Sequence, residues 1–367
     1  MKRRNFLTGA AGAGAAVLAT RAHAQDHIEW KMATAWPRGL PGLGTGAARL
    51  AERIGKMSNG RLTIKLFAAG ELVKEKQCFE AVSQGMAEMG HDAAYYHLDK
   101  SPACGFFAAV PFGLTANELN AWVYFGGGQE LWDDLYGAFN LKGFLAGNTG
   151  VQMGGWFRKE IQSLADLKGL KFRMPGQGGQ ALARLGVEVT DMPADEIYTS
   201  LQSGALDGAE WVGPYNDLSL GYYKIAKYYY WPGFHEPGTA LQLIINKQKF
   251  DALPDDLKQI IAAAAATEND IMYAEFIGRS AGALNTLITE HDVQLKQFPK
   301  DVLVAFGAAA GKVMQEVYDT GDDITKRVAG SYFGFRRDVK NWTRISELGY
   351  ETARMLKFKY PSETDTY

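Results

Sequence analysis

Cysteine is scarce in this chain: Cys78 and Cys104 are the only two among 367 residues. Their spacing fits no metal or redox motif, which excludes a disulfide-stapled scaffold and a thiol-based centre. An exporting compartment would permit a bridge between them. Cys78 falls on an expected helix and Cys104 in a loop, however, so two buried free thiols are the expectation. Charge of one sign is also missing. The formal net charge is −2 and no block of like charge occurs, which argues against nucleic acid or an anionic membrane surface as the main partner. The six histidines are scattered, and no H-E-x-x-H, Walker A or C-x-x-C motif is present. A histidine-based zinc or acid–base centre therefore has little support. Gly278-Arg279-Ser280-Ala281-Gly282 has the letters of a nucleophile elbow but lies inside a long helical pattern, whereas the elbow needs a strained strand-to-helix turn. The glycine runs at 42–46 and 176–179 lack dinucleotide-binding spacing and read as loops.

What is present begins with a leader. Arg3-Arg4-Asn5-Phe6-Leu7 precedes a mild apolar run from Thr8 to Thr20 and then Ala22-His23-Ala24. The run is well short of the ~20 residues that span a bilayer. The pattern reads as a twin-arginine export signal over 1–24, cleaved after Ala24, which places the folded protein in the periplasm. The remaining chain, about 343 residues, exceeds what one hydrophobic core usually organises, so two lobes are expected.

The first of these alternates: extended Ile28 to Trp36, helix Gly44 to Met57, extended Leu62 to Phe67, helix Glu71 to Gln84, extended Ala87 to Asp92. Such alternation implies a parallel sheet covered by helices. A helical stretch follows around Glu118 to Tyr136. A second α/β set then begins, with extended Val151 to Phe157 and Leu170 to Met174, a helix at Gly179 to Leu185, and extended Glu188 to Thr190. The lobes are expected to meet near Gly147 to Val151. A strand at Ala240 to Asn246 leads into a helical pattern over 254–292, long enough to buttress both lobes. The expected division is lobe I over 25–147 plus 237–253 and lobe II over 148–236 plus 293–330. The long helix and an amphipathic C-terminal helix over 331–367 stand apart. The latter carries Val339, Trp342, Ile345 and Leu356 on roughly one face, an apolar stripe for its own body or for a second copy.

The most informative segment is MPADEIYTSLQSGALDGAEWVGPYN, Met192 to Asn216. It reads as a helix, Ala194 to Gln202, closed by Gly204, then a short extended piece ending in Glu210-Trp211. Strand ends are where open α/β sheets place ligands. Arg173 closes another extended segment before a glycine-rich turn, and its planar fork suits a carboxylate. Asn148 and Gln152 stand where the chain crosses between lobes. Clustered aromatics, Tyr95-Tyr96 and Tyr228-Tyr229-Tyr230-Trp231 among them, suit a cleft that grips something small.

Together GNTGVQMGGWF (147–157), LKGLKFRMPG (167–176), the Met192 to Asn216 segment and GTALQLIINKQKFDALP (238–254) resemble the solute-binding proteins of tripartite ATP-independent periplasmic (TRAP) transporters. The resemblance covers nearly the whole mature chain and is strongest to the branch that binds 2-oxo acids such as pyruvate, with a related group binding lactate. It implies an α/β, two-lobed periplasmic-binding-protein fold with a cleft between the lobes. It further implies that Arg173 pairs with the substrate carboxylate and that a cation bridges substrate and protein through Gln152, Glu210, the Trp211 carbonyl and, less securely placed, Gln242. Tyr95, Tyr96 and Asn148 complete the substrate contacts, while Trp231 and Phe234 wall the pocket. His97-Leu98-Asp99 stands where the family pattern has an aromatic and a glycine. One substrate carboxylate, Glu210 and Arg173 sum to minus one, which favours Na+, with Ca2+ the alternative. The implied partners are membrane permease subunits of a TRAP transporter, a small monocarboxylate and a second copy in a homodimer, with no covalent chemistry. Readings kept beside this one are a lactate receptor using calcium, a periplasmic metal-dependent enzyme acting on small oxo acids, and a sensor.

Overall fold

The computed structural model describes residues 27–356; the leader and residues 357–367 lie outside the described residues. Eleven strands are described: Ile28–Thr34 (β1), Leu62–Phe67 (β2), Met89–Asp92 (β3), Leu141–Asn148 (β4), Gly155–Phe157 (β5), Lys171–Arg173 (β6), Glu188–Thr190 (β7), Gly208–Ala209 (β8), Tyr228–Trp231 (β9), Ala240–Asn246 (β10) and Gln294–Gln297 (β11). They form two sheets, in the orders β2-β1-β3-β10-β4 and β11-β9-β5-β8-β6-β7. β1 runs parallel to β2 and β3, as alternating strands and helices require, and β10 inserts antiparallel between β3 and β4. The helix Leu43–Met57 connects β1 to β2 because Leu43, Ala47, Leu50 and Ile54 recur on one face and are buried.

Helices expected from periodicity alone are interrupted where local hydrogen bonding competes. Over 71–84 only the turn Glu75–Gln77 and the helix Cys78–Ser83 form. Upstream, Gly70 has φ of 83° and the Glu71 carboxylate accepts from Ala68 N at 3.0 Å, which closes a turn in place of a helix start. The stretch around 118–136 splits into Ala116–Phe125 and Gly128–Gly137, because Gly127 takes a left-handed φ of 81°. The C-terminal amphipathic helix likewise divides at Ser346, into Asp323–Ile345 and Glu347–Arg354. Cys78 and Cys104 are buried free thiols, and burial pushes the Cys104 thiol up to about 12.

Three connections join the lobes. One runs from β4 to β5 through residues 149–154, and a second from β9 to β10 through residues 232–239. Backbone hydrogen bonds zip these two together: Thr149 N to Thr239 O (3.0 Å), Gln152 N to Glu236 O (3.1 Å) and Gly233 N to Gln152 O (2.9 Å). The third is the 37-residue helix Asp255–His291, which links β10 of the first sheet to β11 of the second. Its fully buried Glu268 accepts from Arg49 at 2.7 Å and Arg53 at 3.0 Å on the first-lobe helix. One large core cluster runs through both lobes, with Trp36, Trp132, Trp156 and Tyr229 among its members, and each lobe adds a smaller one. Met32, Leu50, Leu243 and Ile261 pack in the first, and Phe157, Phe172, Phe234, Phe298 and Phe306 in the second.

Candidate functional site

β6 and β8 are parallel neighbours, with Arg173 opposite Ala209, and both stop at the cleft. Pro175 and Gly176 end the first, and Gly213-Pro214 turn the second into the helix Pro214–Leu220. Arg173 and Glu210 therefore leave adjacent strand ends, joined by a backbone bond from Glu210 N to Arg173 O at 3.1 Å. Gly155, at φ 115°, lets β5 approach closely: a Cβ there would lie 3.1 Å from the Glu210 Cβ.

Both side chains are buried. Arg173 Nη1 donates to Glu210 Oε1 at 2.6 Å and to Glu210 O at 2.9 Å, while Nε donates to Met192 O at 3.2 Å. Nη2 makes no hydrogen bond among the described residues. The guanidinium also lies 4.9 Å from the centre of the Trp211 ring, a cation–π contact inside a desolvated site. His235 Nε2 lies 3.1 Å from Glu210 Oε2. Burial pushes this imidazole down to about 4, so at neutral pH it is an uncharged ring, and with its proton on Nε2 it donates to the carboxylate. Glu236 accepts from the Thr239 hydroxyl and from Tyr95 Oη at 3.4 Å. One ligand atom each from Glu210, His235 and Glu236 falls within a span of 4.8 Å.

Two acids and one buried arginine leave the cluster short of positive charge. Burial pushes the Glu210 carboxyl up to about 8 despite the opposing pull of Arg173, and burial pushes Glu236 up to about 7. A cation would relieve both. Donors for one are in place: Gln152 Oε1 is buried with no hydrogen-bond partner among the described residues, and the Trp211 carbonyl accepts none there either. A carboxylate, an amide oxygen and a main-chain oxygen form an all-oxygen set that suits sodium or calcium. The charge count that favours sodium omits Glu236. With Glu236 ionised, the same sum reaches minus two and matches a divalent ion equally well.

Above these groups the lobes close on a small cavity of about 10 Å³, lined by Trp36, Leu43, Tyr95 and Tyr96 from one side and by Arg173, Trp211 and Val212 from the other, with Thr149, Gln152 and Thr239 at the crossing. That is about the space of one water, so a solute enters only as the lobes part. The Trp211 Nε1–H is buried without a partner among the described residues, a further donor for such a ligand. Tyr95 and Tyr96 also line a wider groove, across which Lys76 of the first lobe pairs with Asp191 of the second at 2.7 Å. Glu75 beside it is buried and its carboxyl is pushed up to about 7, chiefly by burial, with Arg173 pulling the other way.

The structure thus brings Arg173, Glu210, Trp211, Gln152, Tyr95 and Tyr96 together. Four of the expected residues sit elsewhere. Gln242 is committed to the first lobe, accepting from Tyr136 Oη at 2.7 Å and donating to Asp92 at 2.6 Å. Asn148 braces the crossing, with its Oδ1 accepting from Gly150 N at 2.8 Å. Phe234 stacks on Phe306, ring centres 4.1 Å apart, within the second-lobe core, and Trp231 is 38 % exposed at the end of β9. His97, which departs from the family pattern, pairs with buried Asp92 at 2.7 Å behind the pocket edge. His235, Glu236 and Thr239 escaped the sequence reading. They lie in the run His235-Glu236-Pro237-Gly238-Thr239 of the connection from β9 to β10, where no local pattern singles them out.

Known proteins share this fold. The family model for bacterial extracellular solute-binding protein, family 7 (DctP), matches residues 32–320. A monocarboxylate 2-oxoacid-binding periplasmic protein of Nostoc sp. is 41% identical over 96% of this chain and 98% of its own length. A TRAP periplasmic solute-binding protein from Pseudoalteromonas atlantica, solved with bound sodium and pyruvate, is 38% identical with a TM-score of 0.86, covering 90% of this chain and 99% of its own. Another from Colwellia psychrerythraea, with bound calcium and pyruvate, is 39% identical with a TM-score of 0.86, covering 89% and 99%.

Proposed function

The chain belongs to the DctP family of extracellular solute-binding proteins and is a TRAP solute-binding receptor; from that premise we propose that its solute is a 2-oxo monocarboxylate of pyruvate size, held by Arg173 and a bridging cation. The observation that carries this is the coincidence at one cavity of a buried guanidinium with Nη2 uncommitted, an under-compensated acid pair and the unpartnered Gln152 Oε1. The solute carboxylate takes the Nη2 donors of Arg173, and its oxo group faces the indole N–H and tyrosines. Glu210, Gln152 and the Trp211 carbonyl would hold the cation, which would supply positive charge to the bound solute. Sodium and calcium both suit that role, and each is bound together with pyruvate in one of the two relatives. The remaining work is the protein's own: the two strand crossings flex, the lobes close over the solute, and water is excluded. No bond is made or broken, so the solute leaves unchanged.

The receptor works in the periplasm after twin-arginine export and delivers its closed form to membrane permease subunits. Among the described residues, no helix is long and apolar enough to cross a membrane. A homodimer forms through the C-terminal helices, where Trp342 and Ile345 are 67% and 68% exposed, an apolar stripe of the kind that marks an interface.

Calorimetric titration with pyruvate tests the reading. Arg173→Lys keeps the charge but loses the planar fork, and is expected to weaken binding at least tenfold. Unchanged affinity in that variant would dismiss the assignment, as would recovery of a chemically altered ligand from protein incubated with pyruvate.

A further inference from the structure

An amide presents its oxygen to a cation only if its NH2 end is held elsewhere, and the surroundings of Gln152 supply that hold. Gln152 Nε2 donates to two threonine hydroxyls, Thr149 Oγ1 and Thr239 Oγ1, each at 3.1 Å. A hydroxyl has one proton, and both are already spent. Thr149 Oγ1 donates to the Gly150 carbonyl at 3.0 Å, and Thr239 Oγ1 donates to the Glu236 carboxylate. A carbonyl and a carboxylate are acceptors only, so each claims the proton of its threonine and leaves that hydroxyl facing Gln152 as an acceptor. An amide turned the other way would set its oxygen against two acceptors. The arrangement permits one orientation, and in it Gln152 Oε1 is the buried atom without a partner.

We propose that Thr149 and Thr239, the latter anchored by Glu236, are positioning residues that lock the Gln152 amide with its oxygen toward the cation site. All belong to the two strand crossings, so the lock lies in the hinge itself. The proposal rests on the cation-bridged reading given above. It assigns to the residues that hold the amide an effect on ion affinity.

The test uses the full mature protein and the metal alone. Calcium is titrated by calorimetry, and terbium, its luminescent stand-in, is followed by emission sensitised through nearby tryptophan. Gln152→Leu is the reference and is expected to lose at least tenfold in calcium affinity. Thr239→Val, which is nearly isosteric but cannot accept, should lose roughly tenfold, within the range for groups that orient a metal ligand. Thr239→Ser, which keeps the hydroxyl, should restore wild-type affinity. Thr149→Val should behave as Thr239→Val, and it gives an independent reading if one valine variant does not fold, folding being checked by circular dichroism. In the wild type the Gln152 side-chain amide protons, identified by their loss in Gln152→Leu, should exchange slowly with D2O, and faster in the valine variants. Loss of affinity in Gln152→Leu with wild-type affinity in both valine variants would overturn the lock while leaving the cation reading intact. Wild-type affinity in Gln152→Leu would instead remove the cation reading on which it stands.

Discussion

At the scale of single residues the account turns on burial of charge. Glu210 and Glu236, pushed up by burial to about 8 and about 7, must shed protons before a cation can use them. Ion affinity is therefore full above about pH 8 and falls as pH drops through those values, by up to tenfold per unit for each proton displaced. Calcium titrations at pH 8.5 and pH 6 should differ by at least tenfold, and a flat profile would contradict the assignment of these acids to the ion. The sign for folding is the reverse of the ordinary carboxylate case. Because the folded state holds these protons more tightly than the unfolded chain, the cluster's contribution to stability without a cation falls between about pH 4.5 and pH 8. Glu236→Gln should consequently raise the melting temperature of ion-free protein relative to wild type more at pH 8 than at pH 5.5. The central trio was legible in the sequence because each member carries a local signal: Arg173 and Glu210 close extended segments, and Trp211 adjoins one of them. His235 and Glu236 carry none, since their role depends on a crossing segment folding back over the ends of β6 and β8. Phe234, the residue before His235, faces the opposite way into the aromatic core, a difference of orientation that residue type alone does not report.

At the scale of elements, strands and helices with strong periodicity read directly. Leu62–Phe67 and Ala240–Asn246 coincide with their expected spans, and the long helix runs over Asp255–His291, because alternation and helical spacing are local properties. Breaks were less visible. Gly127 and Ser346 each interrupt a helix whose apolar pattern continues beyond them, and the short strands β5, β6 and β8 owe their length to the cleft they border. The long helix is held by Glu268, fully buried between Arg49 and Arg53, whose side chains are 30% and 21% exposed. Glu268→Ala leaves Arg53 unpaired and Arg49 with Glu275 alone, at 2.7 Å, and should cost about 1–3 kcal/mol, less than the loss for a fully buried pair because water reaches both guanidinium groups. Urea denaturation measures it. No change would mean that the helix is anchored by its other contacts, Glu275 with Arg49 among them.

At the scale of the whole molecule, two lobes meet over the cavity and one exposed ion pair, Lys76–Asp191, bridges the mouth. Both side chains are about one-third exposed, so Lys76→Ala should weaken solute binding by no more than about fivefold, the limit for a solvated pair. A larger loss would mean that the rim, and not the buried cluster, governs closure. The apolar stripe at Trp342 and Ile345 predicts a dimer by light scattering, and Trp342→Glu with Ile345→Glu should convert it to monomer. The central claim is that guanidinium and cation act together on one carboxylate. Pyruvate titration of protein stripped of sodium and calcium, repeated after either ion is restored, addresses it most directly. The account predicts that binding is lost on stripping and returns with the ion; equal affinity in both titrations would contradict it.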